Sequence, residues 1–158
     1  MVVIKNTYDQ LFAQAAYAWG IPFSWIKAIA GAESDYNPNA YREEPQIGDA
    51  SRGLMQVLLK TARGLGYEGP EEGLFDPATN VSLGAKLIRQ NIDRFGNSFE
   101  RVYSAYNSGS PTAYLTNSQV KAHVDRALAY LEAVEESLQR PGPSAQPSGD
   151  EEPPEEPG

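Results

Sequence analysis

Glu33 is the side chain of this sequence whose setting most suggests chemistry. It lies in the stretch Trp25 to Val57, WIKAIAGAESDYNPNAYREEPQIGDASRGLMQV. Ile26, Ile29, Ala30 and Glu33 stand at i, i+3, i+4 and i+7, one face of a helix. A carboxylate is normally avoided on such an apolar stripe. Glu33 also falls near the helix C-terminus, where the macrodipole disfavours negative charge. Both effects favour the protonated carboxyl and raise its pKa. A carboxyl held protonated near neutral pH is what a general acid for glycosidic cleavage requires. A glutamate at a helix end ordinarily swings to solvent or pairs with an arginine, so position alone does not assign the role.

Glycosidic cleavage usually employs a second carboxylate as base or nucleophile. None is evident. Asp35, two residues on, points away from Glu33 on a helix. Glu43, Glu44 and Asp49 fall in a loop that the sequence does not place. Other chemistries are excluded more firmly. The chain has no cysteine, hence no disulfide, thiolate nucleophile or thiolate-bound metal. His123 is the only histidine, so metal sites built on paired histidines are out. It has no serine in a strand-turn-helix elbow to complete a triad. No metal and no cofactor are expected, and activity should survive a chelator.

The elements that must position Glu33 read as helices. Thr7 and Gln10 have capping-box spacing. Tyr8, Leu11, Phe12, Ala15 and Trp19 then keep helical spacing up to Gly20, a C-terminal stop, and Pro22 suits the start of the helix that delivers Glu33. Residues 35–51 are rich in turn pairs and read as a loop with a short hairpin. Gly53 should open a helix that carries Met55 to about Ala62. Asp76-Pro77 is a cap followed by proline at the first helical position. It starts a helix with a stripe Val81, Ala85, Ile88, Ile92 and Phe95, and Gly84 within it implies close packing. Ser98 caps a shorter helix to about Asn107. Asn117 or Ser118 caps the last, with Val120, Val124, Ala127, Leu128, Leu131, Val134 and Leu138 as its buried face. The fold class is mostly α: one domain of about six helices over residues 1–140, with a loop or hairpin beside a cleft. Residues 141–158 hold six prolines, five acids and no large apolar residue, and read as a disordered acidic tail.

The tail carries five of the net eight negative charges of the 158-residue chain. The remainder is mildly acidic, without a basic run for nucleic acid. Attraction to an acidic polymer would need a local patch. No segment approaches the apolar length of a membrane span, and the start MVVIKNTYDQLF is not a signal peptide.

Four short motifs follow one another: Glu33-Ser34, Asn37-Pro38 with Ala40, Gly53-Leu54-Met55-Gln56, and Ala105-Tyr106-Asn107 followed by Gly109. Together they resemble the soluble (SLT-type) lytic transglycosylases, related to goose-type lysozyme, over roughly residues 7 to 135. The resemblance implies a lysozyme-like domain that cleaves peptidoglycan between N-acetylmuramic acid and N-acetylglucosamine. It implies Glu33 as the single acid/base, with the sugar's own 6-hydroxyl as nucleophile, which leaves a 1,6-anhydro end and removes the need for a second carboxylate. It further implies substrate contacts from Gln56, Tyr106, Asn107, Met55 and Ser51, with the Tyr106 hydroxyl near the catalytic carboxyl. Ser34 and Asn80 would be structural near the site. A methionine at helical spacing is, equally, ordinary core. The chain departs from the family pattern at Tyr41-Arg42-Glu43, where a serine is common, leaving Ser51 as its candidate replacement, and at Leu58-Leu59, where Met-Pro is common. A tyrosine common in the last helix corresponds to Tyr130 or is replaced by His123. The expected partner is the glycan strand of peptidoglycan, with no nucleic acid, for a monomer acting at the cell wall or periplasm. The chain would be phage-encoded or a domain of a larger exported protein. Two other readings remain open: a goose-type muramidase, with water as nucleophile, and a non-catalytic wall-binding module.

Overall fold

The computed structural model describes residues 2–140; the tail expected over 141–158 lies outside the described residues. Six α-helices and a three-stranded antiparallel sheet make up the described fold. Helix α1 spans Asp9–Trp19 and α2 Phe23–Ser34. The Thr7–Gln10 capping box does not form: Tyr8 occupies the cap without a side-chain bond. Gly20 ends α1 as expected, at φ +65 with its N–H on the Ala16 carbonyl. Pro22 stands just outside α2, extended at ψ 133.

Helix α2 is the axis of the molecule. Every residue from Ile26 to Gly31 is buried, between α1 on one side and α6 (Ser118–Gln139) on the other. Lys27 lies within this run. Its ammonium bonds Asn6 Oδ1 at 2.6 Å and the Asp9 carboxylate at 2.9 Å, which satisfies the buried charge. Gly31 has no side chain because none fits: a Cβ there would run into the Tyr130 ring and the Tyr36 hydroxyl.

The turn-rich segment folds as β1 (Tyr41–Glu44) and β2 (Asp49–Arg52), paired with Tyr41 opposite Arg52 and Glu44 opposite Asp49. A 3₁₀ turn over Pro45–Ile47 and Gly48 at φ +65 close the hairpin. The next stretch corrects the sequence reading. No helix starts at Gly53. Residues 53–56 make a turn, Val57–Leu58 adds a third strand, β3, to β2, and α3 occupies only Leu59–Gly64. Tertiary bonds claim the backbone groups a helix would have used. Asn80 Oδ1 accepts the Met55 N–H at 2.7 Å, and Tyr106 donates to the Met55 carbonyl at 2.6 Å. Asp49 serves α3 in place of a local cap: its carboxylate accepts the Leu59 and Lys60 N–H groups at 3.2 and 2.9 Å. Burial works to raise the Asp49 pKa, but these bonds and Arg52 hold it below the usual value.

Helix α4 (Pro77–Phe95) begins as read, with Asp76 accepting the Thr79 N–H and proline at the first position. Gly84 within it does mark close packing, but against the turn: the Met55 side chain fills the space a Cβ would need. Ser98 caps α5 (Phe99–Ser108) and Asn117 caps α6. On α6 the buried face includes Tyr130, while Leu138, expected inside, is 60% exposed. It lies in the last turn, beyond Val134, the last buried residue of α6. Among the described residues no helix is long and apolar enough to cross a membrane.

Candidate active site

A cleft of about 700 Å³ runs between the β1–β2 hairpin and the helices, and Glu33 opens into it. Glu33 occupies the last turn of α2, partly buried. Desolvation raises its pKa from 4.5 to about 7, against the opposing pull of the Tyr103 hydrogen bond and of Arg42 and Arg126; the Glu44 charge adds to the rise. The carboxyl can therefore both hold and release a proton near neutrality.

Its hydrogen-bond partner is a residue that the sequence reading did not name. The Tyr103 hydroxyl, not that of Tyr106, donates to Glu33 Oε2, at 2.5 Å. Tyr106 Oη reaches the Met55 carbonyl instead. The two rings stack on one face of α5 with centroids 6.1 Å apart, and Phe99 extends the stack below Tyr103 at 6.2 Å. Burial pushes both phenols above their ordinary pKa, so both stay protonated donors. The sequence reading missed Tyr103; the aromatic spacing Phe99, Tyr103, Tyr106, at i, i+4 and i+7 on one helix face, is the signal that could have found it.

Of the other residues singled out from sequence, Gln56, Ser51, Tyr106 and Asn107 all line the same cleft. Gln56 adopts φ +53, and its amide donates to the Ala40 and Gly53 carbonyls at 3.1 Å each. That fixes its side chain across the mouth of the turn. Met55 is corrected as a substrate contact: its side chain is fully buried, held under α4 by the close approach of Gly84. Ser34 Oγ donates to the Ala30 carbonyl at 3.0 Å and the Leu54 carbonyl at 2.7 Å, tying the Glu33 turn to the turn below it. Asn80, wholly buried, donates to the Arg52 and Leu74 carbonyls at 2.7 and 2.8 Å while accepting from Met55. Neither lines the cleft; both hold the turn over residues 53–56 in place beside it.

The structure also places the carboxylates that the sequence left floating. Asp35 is committed elsewhere: it closes α2 at φ +51, and its carboxylate takes Arg126 at 2.8 Å and the Tyr130 hydroxyl. Tyr130 thus serves α2 rather than Glu33, and His123 lines the cleft. Glu44 is the second carboxylate facing the cleft. Gln46 donates to it at 3.1 Å and Arg42 lies 3.6 Å from it. Among the described residues no cluster of His, Cys, Asp and Glu could hold a metal.

The family model described as "Transglycosylase SLT domain" matches residues 10–137. The chain is 31% identical over 136 residues to the soluble lytic murein transglycosylase of Escherichia coli strain K12, across 80% of this chain and 20% of that protein. It is 28% identical over 123 residues to a peptidoglycan transglycosylase of Escherichia phage T7, across 76% of this chain and 9% of that protein. To protein IpgF of Shigella flexneri it is 32% identical over 130 residues, across 80% of this chain and 82% of that protein. The chain therefore spans about a fifth of the Escherichia coli relative and most of the Shigella one. The solved 70 kDa soluble lytic transglycosylase of Escherichia coli shares the fold, with a TM-score of 0.74 at 24% identity over 86% of this chain and 25% of that one.

Proposed function

The chain belongs to the transglycosylase SLT domain family, and from that premise we propose that it is a peptidoglycan lytic transglycosylase using Glu33 as its single acid/base. The observation that carries the proposal is Glu33 itself: a partly desolvated carboxyl of pKa about 7, opening into a cleft of about 700 Å³. The protonated carboxyl gives its proton to the oxygen bridging N-acetylmuramic acid and N-acetylglucosamine, and the bond from the anomeric carbon breaks. The resulting carboxylate then takes the proton of the 6-hydroxyl as that oxygen bonds to the anomeric carbon. Glu33 regains its proton, the ring closes as 1,6-anhydro-N-acetylmuramic acid, and no water is consumed. Tyr103 holds the carboxyl in one orientation and stabilises the anion between the two steps. Gln56, Ser51, Tyr106 and Asn107 offer amide and hydroxyl groups to the strand.

One observation favours a second reading. Glu44 faces the same cleft, and a hydrolase of the goose-lysozyme kind would employ such a carboxylate to activate water. Mass spectrometry of unreduced fragments released from purified peptidoglycan decides between them. Anhydro ends, one water lighter than hydrolytic ends, support the lyase, whereas reducing ends assign hydrolysis. Release by wild type but not by Glu33→Gln ties the activity to this site. A protein that sediments with walls yet releases nothing is a binding module, and the lyase reading falls.

A further inference from the structure

Arg126 of α6 acts on two carboxylates, Glu33 and Asp35, and bonds only the second. Its Nη2 donates to Asp35 Oδ1 at 2.8 Å and its Nε to the Ala32 carbonyl at 3.2 Å. The guanidinium lies over the Tyr130 ring, 5.3 Å from the centroid, and Tyr130 in turn donates to the same Asp35 oxygen. The Ala32 carbonyl belongs to the last turn of α2, where carbonyls lack a helical partner, and Asp35 closes that helix at φ +51. A cation here also suits the negative end of the macrodipole. Arg126 therefore grips α2 on either side of Glu33, at Ala32 and at Asp35.

Arg126 nevertheless lines the cleft together with Glu33, whereas Asp35 does not. The groups that act on Glu33 are Tyr103 and Tyr106 from α5, Arg42 and Glu44 from β1, and Arg126 from α6. His123, one turn before Arg126, lines the same cleft. Arg42 has Glu44 beside it, so its charge is offset within the cleft. The charge of Arg126 is offset from outside the cleft, by Asp35. A direct Arg126–Glu33 pair would hold the carboxyl ionised and leave no acid for the first step. Without any cation, the carboxylate of the second step would lose that support.

Resting on the transglycosylase reading, we propose that Arg126 is a positioning residue for Glu33, tethered by Asp35 so that it fixes the last turn of α2 and supports the Glu33 anion without pairing with it. Asp35 is then more than a helix end: it is the carboxylate that keeps the arginine occupied. Tyr130 completes the tether from below the guanidinium. The Arg126 and Asp35 side chains are 42% and 66% exposed, so salt weakens the effect and low ionic strength shows it best.

The test follows the Glu33 carboxyl by carbon-13 NMR titration, its signal identified by its loss in Glu33→Gln, beside the pH profile of fragment release from purified peptidoglycan. Wild type, Arg126→Gln, Arg126→Lys and Asp35→Asn are compared, with melting curves to verify folding. Asparagine keeps the shape of Asp35 and tolerates φ +51. Arg126→Gln should raise the Glu33 midpoint and carry the alkaline limb up with it, while the maximal rate falls about tenfold as the turn loosens. Arg126→Lys keeps the charge but not the planar fork. Its midpoint should stay near that of wild type, with the rate still reduced. Asp35→Asn removes a negative charge and weakens the tether, so the midpoint should fall. A merely structural clamp would not move the two midpoints in opposite directions. A midpoint unmoved in Arg126→Gln or in Asp35→Asn, or moved the same way in both, overturns the proposal. So does a full rate in Arg126→Gln, and so does a lysine variant whose midpoint follows that of the glutamine one. Failure of the wild type to release fragments overturns the transglycosylase reading instead, and the titration still decides the tether by itself.

Discussion

The Tyr103 hydroxyl donates to Glu33 Oε2 across 2.5 Å, joining residues 70 positions apart on α5 and α2. The bond stabilises the carboxylate and fixes the direction in which the carboxyl faces. Tyr103→Phe keeps the ring stack but removes the donor, so the Glu33 pKa should rise above about 7. The alkaline limb of the kcat/KM profile, where the general acid loses its proton, should move to higher pH. The maximal kcat should fall about tenfold as the carboxyl loses its orientation. Rate profiles from pH 5 to 9 check both, and a limb that stays in place would remove Tyr103 from the tuning of Glu33.

Glu33 is also a stability liability whose sign is set by pH. Its pKa rises on folding from 4.5 to about 7. Between those values the folded state holds more protons than the unfolded state, so stability falls as pH rises through that window and levels off above it. At about 1.4 kcal/mol per pKa unit, discounted for the opening to the cleft, the loss is on the order of 2 kcal/mol at pH 8. Glu33→Gln carries no charge and still accepts from Tyr103. It should be inactive yet more stable than wild type by about that amount at pH 8, with the gap closing near pH 4. Urea midpoints at the two pH values measure it, and equal midpoints at both would contradict the desolvation account.

Asn80→Ala should cost about 3 kcal/mol, because it leaves the Met55 N–H and the Arg52 and Leu74 carbonyls buried without their partner. The same bonds hold the turn that carries Gln56, so turnover should fall along with stability. Guanidinium unfolding together with an activity assay tests the pair. A stable variant with full activity would show that the turn holds itself.

Gly84→Ala sets two effects against each other. Alanine is the better helix former by about 1 kcal/mol. Its Cβ, however, would meet the Met55 Cβ and Cγ at 2.8 and 2.9 Å, and overpacking costs about 1–3 kcal/mol. The near atoms include the stem of the Met55 side chain, which cannot swing away, so the clash should prevail and the melting temperature should drop. A rise would mean that the turn shifts freely.

Local rules were enough for a large part of this molecule. The ends of α1, α4, α5 and α6 follow from Gly20, Asp76-Pro77, Ser98 and Asn117, because a cap or an αL glycine acts on backbone groups within a few residues of itself. Glu33 on an apolar stripe at a helix end was legible for the same reason, and so was the direction of its pKa shift. The family resemblance rested on motif order, which needs no geometry. Where the local rules failed, a distant partner had intervened. Gly53-Leu54-Met55-Gln56 does not enter a helix, because Asn80 and Tyr106, 25 and 51 residues from Met55, take its N–H and its carbonyl. Tyr103 rather than Tyr106 reaches Glu33, because which ring faces the carboxyl depends on where α5 crosses α2. Glu44 enters the cleft while Asp35 is drawn to Arg126 and Tyr130 through the pairing of the hairpin and the docking of α6. The sequence by itself determined which residues could carry a proton and where most of the helices begin and end. Only the tertiary structure decided which groups stand beside that proton, because hydrogen bonds and burial across the fold depend on how whole elements pack.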